Sequence, residues 1–494
     1  MWGRALAAAA YATAQALLVL YAAHRWVTLW RWWRGRSRSG SPAAVSAPLL
    51  ADDDLPIVTV QLPVYNERRV IERLIDAAAA LDYPRERLEI QVLDDSTDDT
   101  TARAAAAVAR QRARGLDIAH LRRGSRAGYK AGALAWGMGR ARGELIAVFD
   151  ADFVPRPDFL RRMVRHFADP RVGMAQARWT HLNRDQSRLT AAQAVMLDSH
   201  FLLEHEARAS NGLFFNFNGT AGVWRRSCIE AAGGWRNDTL TEDLDLSYRA
   251  QLAGWRFVFD REVEAPAELP AEVPAFQSQQ RRWARGSIQT ARKVLPALMR
   301  APIPLRVKLE AWMHLTGNAA YPLLLALAVL LLPVLIGRSV LPPGLAWALQ
   351  LIVLLFGVLP VILFLALGQR VAGRRPAAIA RDVLTTLVLG AGLSLNNARA
   401  VFEGLGPRLG RWERTPKRGD AHAPRDAALY GPARGAAGRT ELALAAYLFA
   451  TAGFAAWAGC GRAIPFALML AAGFAAVGLG SWRDRARAAR ATAG

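Results

Sequence analysis

Two carboxylates separated by a single residue, Asp150 and Asp152 with Ala151 between them, close the apolar run 145–149. A carboxylate is costly to bury unless it is paired or bound to a cation, so an acidic pair at the end of a core strand needs a partner. Mg²⁺ or Mn²⁺ carrying a diphosphate supplies one, because these hard cations take a few carboxylate oxygens and leave other positions for phosphate. Asp-x-Asp alone also fits a solvated turn, and the company it keeps has to decide. Asp94-Asp95 closes a second segment that reads as a strand, 88–93. Thr241-Glu242-Asp243-Leu244-Asp245 opens a helical pattern in which Leu244, Tyr248 and Leu252 share a face. Taken alone, Asp243 and Asp245 would only complement the helix dipole. Held beside the metal carboxylates, an Asp could instead be a general base. Gln279-Gln280-Arg281-Arg282-Trp283 offers an indole to stack on a sugar and a guanidinium for a phosphate, or an interfacial anchor.

The elements that must position these groups alternate in type. Segments 57–62, 88–93, 116–121 and 145–149 read as strands, and 68–81, 98–114 and 129–142 as helices between them. Such βα units predict a parallel sheet covered on both faces, and ligands of such sheets collect beyond the carboxyl ends of the strands. Asp94, Asp95, Asp150 and Asp152 all fall at that edge. Further on, the pattern predicts a helix to 167, a strand at 172–179 and a long helix over 186–208. Thr239 and Glu242 have the spacing of a capping box. The aromatic stretch 214–224 suits either a sugar-lined channel or a buried strand with a glycine bend.

Apolar residues make up 52% of the 494-residue chain, and the longest runs lie toward its two ends. That split predicts a membrane enzyme with a cytoplasmic domain between spans. The net charge of +22 comes mostly from Arg beside the apolar segments, which suits an anionic inner leaflet rather than nucleic acid. Cys228 and Cys460 are too few and too far apart for a disulfide framework or a Cys-based metal site. The expected organisation is a membrane helix with a basic flank (1–35), a cytoplasmic domain (52–300) and a membrane region (301–482). Later spans are expected at 312–336, 344–367, 442–460 and 464–482. If 379–395 also crossed, the Arg-rich segment 399–439 and the tail would both lie outside, against the positive-inside bias. A helix over 379–405 lying along the inner interface corrects both, giving five spans.

With these pieces in order, the chain resembles the processive family 2 glycosyltransferases, the group of cellulose, mannan and hyaluronan synthases. The motifs are Asp94-Asp95, Gly128-Tyr129-Lys130-Ala131-Gly132, Phe149-Asp150-Ala151-Asp152, Thr241-Glu242-Asp243 and Gln279-x-x-Arg282-Trp283. The wording of 216–224 and Gly233-Gly234-Trp235 is similar to the cellulose-synthase-like A and C groups, the glucomannan and xyloglucan-backbone synthases. The resemblance implies a glycosyltransferase A-type, Rossmann-like α/β domain joined to a helical membrane bundle, in the inner or plasma membrane. It also implies that Asp94 or Asp95 binds the nucleotide base and that Lys130 helps hold the diphosphate. Asp150 and Asp152 would contact the nucleotide sugar, with Mg²⁺ or Mn²⁺ on Asp152. Asp243, preceded by Glu242, would be the base on the acceptor hydroxyl. Gln279, Arg282 and Trp283 would hold the acceptor end of the growing β-glycan and the leaving diphosphate. Trp412-Glu413-Arg414-Thr415-Pro416-Lys417 is similar to the gating loop of cellulose synthases, departing from it in having Arg414 before the Thr.

Physical chemistry agrees with an inverting displacement, which needs one base and a charged sink for the departing diphosphate. Two alternatives stay open: transfer of a single sugar to a polyprenyl phosphate, and a transporter regulated by its soluble domain. The spans carry almost no intramembrane charge for a substrate path, which counts against the transporter. Nothing in the sequence separates GDP-mannose from UDP-glucose as donor.

Overall fold

The computed structural model describes residues 2–39, 50–337, 342–410, 417, 419 and 438–493. Seven strands form one sheet: β1 (Val58–Val64), β2 (Leu88–Asp94), β3 (Ile118–Leu121), β4 (Leu145–Val148), β5 (Val172–His181), β6 (Gly222–Arg225) and β7 (Arg256–Ala267), in the order β3-β2-β1-β4-β6-β5-β7. β4 is an unbroken apolar run because both of its faces are covered. Leu145, Ala147 and Phe149 pack in one core with Leu62, Leu74 and Phe159, while Ile146 and Val148 pack in the other with Leu134, Phe217 and Trp224. Alternate side chains of a strand point to opposite faces, so a doubly covered strand must be apolar throughout.

The expected parallel sheet holds for β1 to β4 and for the pairing of β5 with β7. It fails at β6, which runs antiparallel to both β4 and β5. The reversal has a structural effect. Gly222 pairs with Val148, so β6 starts at the edge where β4 ends and the preceding residues 218–221 lie beside Asp150. The aromatic stretch resolves as core: Phe215, Phe217 and Trp224 are buried in the second cluster.

The helix expected over 186–208 is Arg188–Ser199, then a π-helical turn His200–His205, then Glu206–Ser210. The capping box expected from Thr239 and Glu242 is not formed. Thr241 is the N-cap of helix Glu242–Leu252 and makes no side-chain cap; its hydroxyl bonds that of Thr290 at 3.2 Å instead.

Five helical segments among the described residues are long and apolar enough to cross a membrane: Gly3–Arg36, Leu305–Gly337, Gly344–Val371, Arg439–Trp457 and Gly461–Arg487. Pro376–Gly392 and Ser394–Leu405 form a further pair bent by 50°, a sixth if it counts as one span. This pair touches the α/β domain along its whole course. Arg374, just before it, pairs with Asp185 at 3.0 Å, and Asn396 Nδ2 donates to the Gln277 carbonyl at 3.0 Å. Near its end, Glu403 pairs with Arg285 at 3.1 Å and also with Arg281.

Candidate active site

The carboxyl edge of β4 delivers Asp150 and Asp152 into a cavity of about 160 Å³. The Asp150 backbone N–H donates to Thr220 Oγ1 at 2.9 Å, so the loop before β6 fixes where the acidic pair begins. Lys130, in the first turn of helix Tyr129–Met138, donates to the Asp150 carboxylate and to the Gly219 carbonyl at 2.8 Å. Gly219 has φ +84°, and a Cβ there would stand 2.9 Å from the Asp243 carboxylate. Only glycine allows both that backbone and that approach. Burial works against the charge of Lys130, but Asp150, followed by Glu242 and Asp243, carries its pKa upward on balance.

Asp243 sits in the first turn of helix Glu242–Leu252, where one carboxylate oxygen accepts the Leu244 N–H at 2.8 Å. Ser247 ties that turn to the β6 loop: its hydroxyl donates to the Asp243 carbonyl at 2.6 Å and accepts the Phe217 N–H at 2.9 Å. Burial, and after it the charge of Glu242, push the Asp243 pKa up. Glu242 is raised as well, first by burial, with Lys130 opposing.

Gln279, Arg282 and Trp283 lie on one face of helix Val273–Arg300, as their i, i+3, i+4 spacing requires, and all three line the cavity. Gly286 on the same helix lets it close on the acidic turn, since a Cβ there would lie 2.5 Å from Thr241 Cγ2.

Asp94 and Asp95 separate in space. Asp95 lines the cavity and pairs with Arg123, whose Nε lies 2.7 Å away. Arg123 also donates to the carbonyls of Ala127 and Tyr129, each at 2.7 Å, and so clamps the loop that leads into Lys130. Asp94 is 1% exposed and is not among the lining residues. It bonds His120 at 2.9 Å and the Ser96 N–H at 2.8 Å. Burial opposes its charge, but these bonds hold its pKa down to about 2. Of the two alternatives, Asp94 is thus turned into the core and Asp95 faces the cavity.

Lys417 reaches the same cavity and donates to Asp152 Oδ2 at 2.6 Å. Gly419 accepts from Arg73 at 2.8 Å and donates to Glu268 Oε2 at 3.2 Å. The rest of the expected gating loop (412–419), residues 412–416 and 418, lies outside the described residues. Sequence reasoning missed Tyr65, Arg126, Trp179, His181 and Glu268, which also line the cavity. Arg126 stacks over the Tyr65 ring at 3.3 Å and lies 4.9 Å from the Tyr129 ring. Tyr65, Arg126 and Glu268 lie in loops and Trp179 and His181 at the end of β5, and no local pattern marks them.

Among the described residues no group of three or more His, Cys, Asp and Glu side chains converges on a metal position. The acidic pair is what this cavity offers to a cation. It fits an ion of the Mg²⁺ type, which is held by one or two carboxylates and completed by substrate phosphates and water.

Residues 56–286 match the family described as Glycosyltransferase like family 2. Glucomannan 4-beta-mannosyltransferase 2 of Arabidopsis thaliana is 43% identical over 256 residues, covering 51% of this chain and 48% of that protein. Glucomannan 4-beta-mannosyltransferase 1 of Oryza sativa subsp. japonica is 44% identical over 260 residues, covering 51% and 50%. The chain thus spans about half the length of the curated relatives it matches. Among solved structures, a mannosyltransferase from Pyrobaculum calidifontis in complex with GDP-Man and Mn²⁺ aligns with TM-score 0.49 and 23% identity, over 76% of this chain and 99% of that one.

Proposed function

We propose that this chain, whose residues 56–286 form a family 2 glycosyltransferase domain, is a membrane-bound inverting hexosyltransferase that extends a β-linked polysaccharide from a nucleotide sugar. The observation that carries the reading is the convergence, in one cavity, of Asp150, Asp152, Lys130, Asp243 and the Gln279-Arg282-Trp283 face. The identity with glucomannan mannosyltransferases favours a β-mannan product and GDP-mannose over UDP-glucose.

In this reading Asp243 takes the proton of the acceptor hydroxyl as that oxygen bonds to the anomeric carbon. The bond from that carbon to the diphosphate breaks on the opposite face, and its electron pair leaves with the diphosphate. Lys130 and Arg282 face the developing negative charge. No carboxylate needs to attack the sugar, so the configuration inverts. A divalent cation, when bound, neutralises the diphosphate. Asp152, with Asp150, would hold it, and Lys417 on Asp152 would have to give way or share that carboxylate. Asp95 with Arg123, and the Arg126–Tyr65 stack, lie where a nucleotide would rest. Trp283 and Gln279 would seat the acceptor sugar, with Trp283 as a stacking face.

The membrane arrangement we propose has five crossings, with the α/β domain on the cytoplasmic side. The bent pair 376–405 would lie along the inner interface, because contacts with that domain run from Arg374 to Glu403. Extrusion of the product between these helices is part of the same proposal.

The test is turnover of labelled GDP-mannose and UDP-glucose by the purified full chain, with and without a chelator. The expected outcome is cation-dependent polymer that endo-β-mannanase degrades. Label recovered instead in an organic-soluble product with a polyprenyl carrier would replace polymer extension with single-sugar transfer. Turnover unaffected by complete removal of divalent cations would remove the metal from the scheme.

A further inference from the structure

The loop before β6 meets the active site on one side and a polar cluster on the other. Asn218, a cavity-lining residue, presents its amide to two imidazoles. Its Oδ1 accepts from His205 Nε2 at 2.6 Å, and its Nδ2 donates to His200 Nε2 at 3.1 Å. Residues five apart on an α-helix point in different directions. The wider π-helical turn His200–His205 instead brings both rings to one side, with centroids 4.5 Å apart.

Which way the amide faces is decided outside the active site. His200 Nδ1 lies 2.7 Å from the Glu204 carboxylate, and Glu204 pairs in turn with Arg25 of the N-terminal helix. An ionised carboxylate only accepts, so the His200 proton sits on Nδ1 and Nε2 is left as a lone pair. That lone pair takes the NH2 of Asn218, which turns the Asn218 oxygen to His205 and sets the His205 proton on Nε2. His205 is fully buried, its Nδ1 has no hydrogen-bond partner among the described residues, and its ring packs on Phe215 and Phe259. A phenyl ring would fill that place without burying a polar nitrogen. The bond to Asn218 is what an imidazole adds there.

We propose that His200, with Glu204 and Arg25 behind it, is a positioning residue through which the N-terminal helix holds the loop 218–220 in its working place. Within this loop the Gly219 carbonyl accepts from Lys130 at 2.8 Å, the Thr220 hydroxyl accepts the Asp150 N–H at 2.9 Å, and Gly219 faces the Asp243 carboxylate. A shift of the loop therefore displaces three site groups together. Arg25, His200 and Glu204 act from outside, since none of them lines the cavity. Their part in transfer rests on the reaction proposed above; their hold on the loop does not.

The test uses the purified full chain and the variants Arg25→Met, Arg25→Lys and His200→Phe, with a double variant combining Arg25→Met and His200→Phe. Hydrogen–deuterium exchange is followed in peptides covering 214–224, against 88–94 as the internal reference. Arg25→Met and His200→Phe should each raise uptake in 214–224 and leave 88–94 unchanged, and Arg25→Lys should restore most of the protection. In turnover of the nucleotide sugar, each of the first two should lower kcat about tenfold or more with a smaller change in donor KM, as displaced reacting groups lose rate on that scale. The double variant should be no slower than His200→Phe, because both changes break one chain of contacts. Unchanged exchange in 214–224 would overturn the proposal, as would an equal rise in 88–94 or multiplied losses of kcat in the double variant. If His200→Phe does not fold, the two Arg25 variants decide by exchange alone. The expected exchange in a chain that transfers no sugar would refute the reaction and uphold the hold on the loop.

Discussion

Asp243 sits in a field that opposes its charge. Burial comes first among the causes, Glu242 second, and Lys130 pulls the other way. A base must be deprotonated to act, so transfer should increase with pH along a limb lying above the ordinary carboxylate range. Replacing Glu242 with Gln removes the negative neighbour and should move that limb to lower pH in a kcat/KM profile. Asp243→Asn should abolish transfer and leave donor binding, followed by calorimetry, nearly intact; donor affinity collapsing with turnover would mean the role is misassigned. The stability sign is opposite to that of a salt-bridged acid. A carboxyl whose folded pKa is raised favours the fold when protonated, so its contribution is largest below the unfolded pKa and is lost as pH rises through the raised value. Asp243→Asn escapes that loss and should melt no lower than wild type at neutral pH.

Two close approaches between elements set the geometry on which those residues depend. The loop before β6 reaches Asp243 through Gly219, and helix Val273–Arg300 reaches the acidic turn through Gly286. At Gly286 an added Cβ would lie 2.5 Å from Thr241 Cγ2 and 3.0 Å from the Thr241 backbone nitrogen, and backbone cannot swing aside as a flexible side chain can. Gly286→Ala should therefore push the Gln279-Arg282-Trp283 face away from Asp243. The cost of such overpacking is about 1–3 kcal/mol. Turnover should fall about tenfold or more in steady-state assays, with a smaller change in donor KM; unchanged kcat would show that this contact does not set the distance. At this scale the strands and helices of residues 58–148 were legible, because each is an apolar run or an amphipathic period bounded by turn residues. The antiparallel direction of β6 was not. Four residues from Gly222 to Arg225 read the same whichever way they run, and the direction depends on which edge the loop returns to.

At the scale of the whole molecule, buried charge joins the α/β domain to the long apolar helices. Glu310, within the segment Leu305–Gly337, accepts from Arg208 of the α/β domain at 3.1 Å, from His24 at 2.9 Å and from Arg31. Removing one partner of such a cluster leaves the others buried and uncompensated, so truncating Glu310 should be strongly destabilising. At the other end, Asp484 accepts the Val273 N–H at 3.0 Å, and Ser481 bonds Gln277 at 2.9 Å. The last helix thereby caps the one that carries Gln279. Reporter fusions after Pro424 and at Gly494 should both give cytoplasmic signals, and an extracytoplasmic signal from either would refute five crossings.

The sequence by itself determined that Asp150, Asp152, Lys130 and Asp243 would share one cavity with the Gln279-Arg282-Trp283 face, because a doubly buried strand must be apolar and a carboxylate at its end must find a partner. It also determined which segments are long and apolar enough to span. It could not decide between Asp94 and Asp95, since adjacent residues at a strand end face opposite ways and only the packing of His120 and Ser96 shows which one is turned inward. Nor could it place Lys417 on Asp152 or Arg126 on Tyr65. Those contacts join residues from loops and helices far apart in the chain. Local propensity carries no information about such distances; they are set by how the sheet, the interface helices and the spans close on one another.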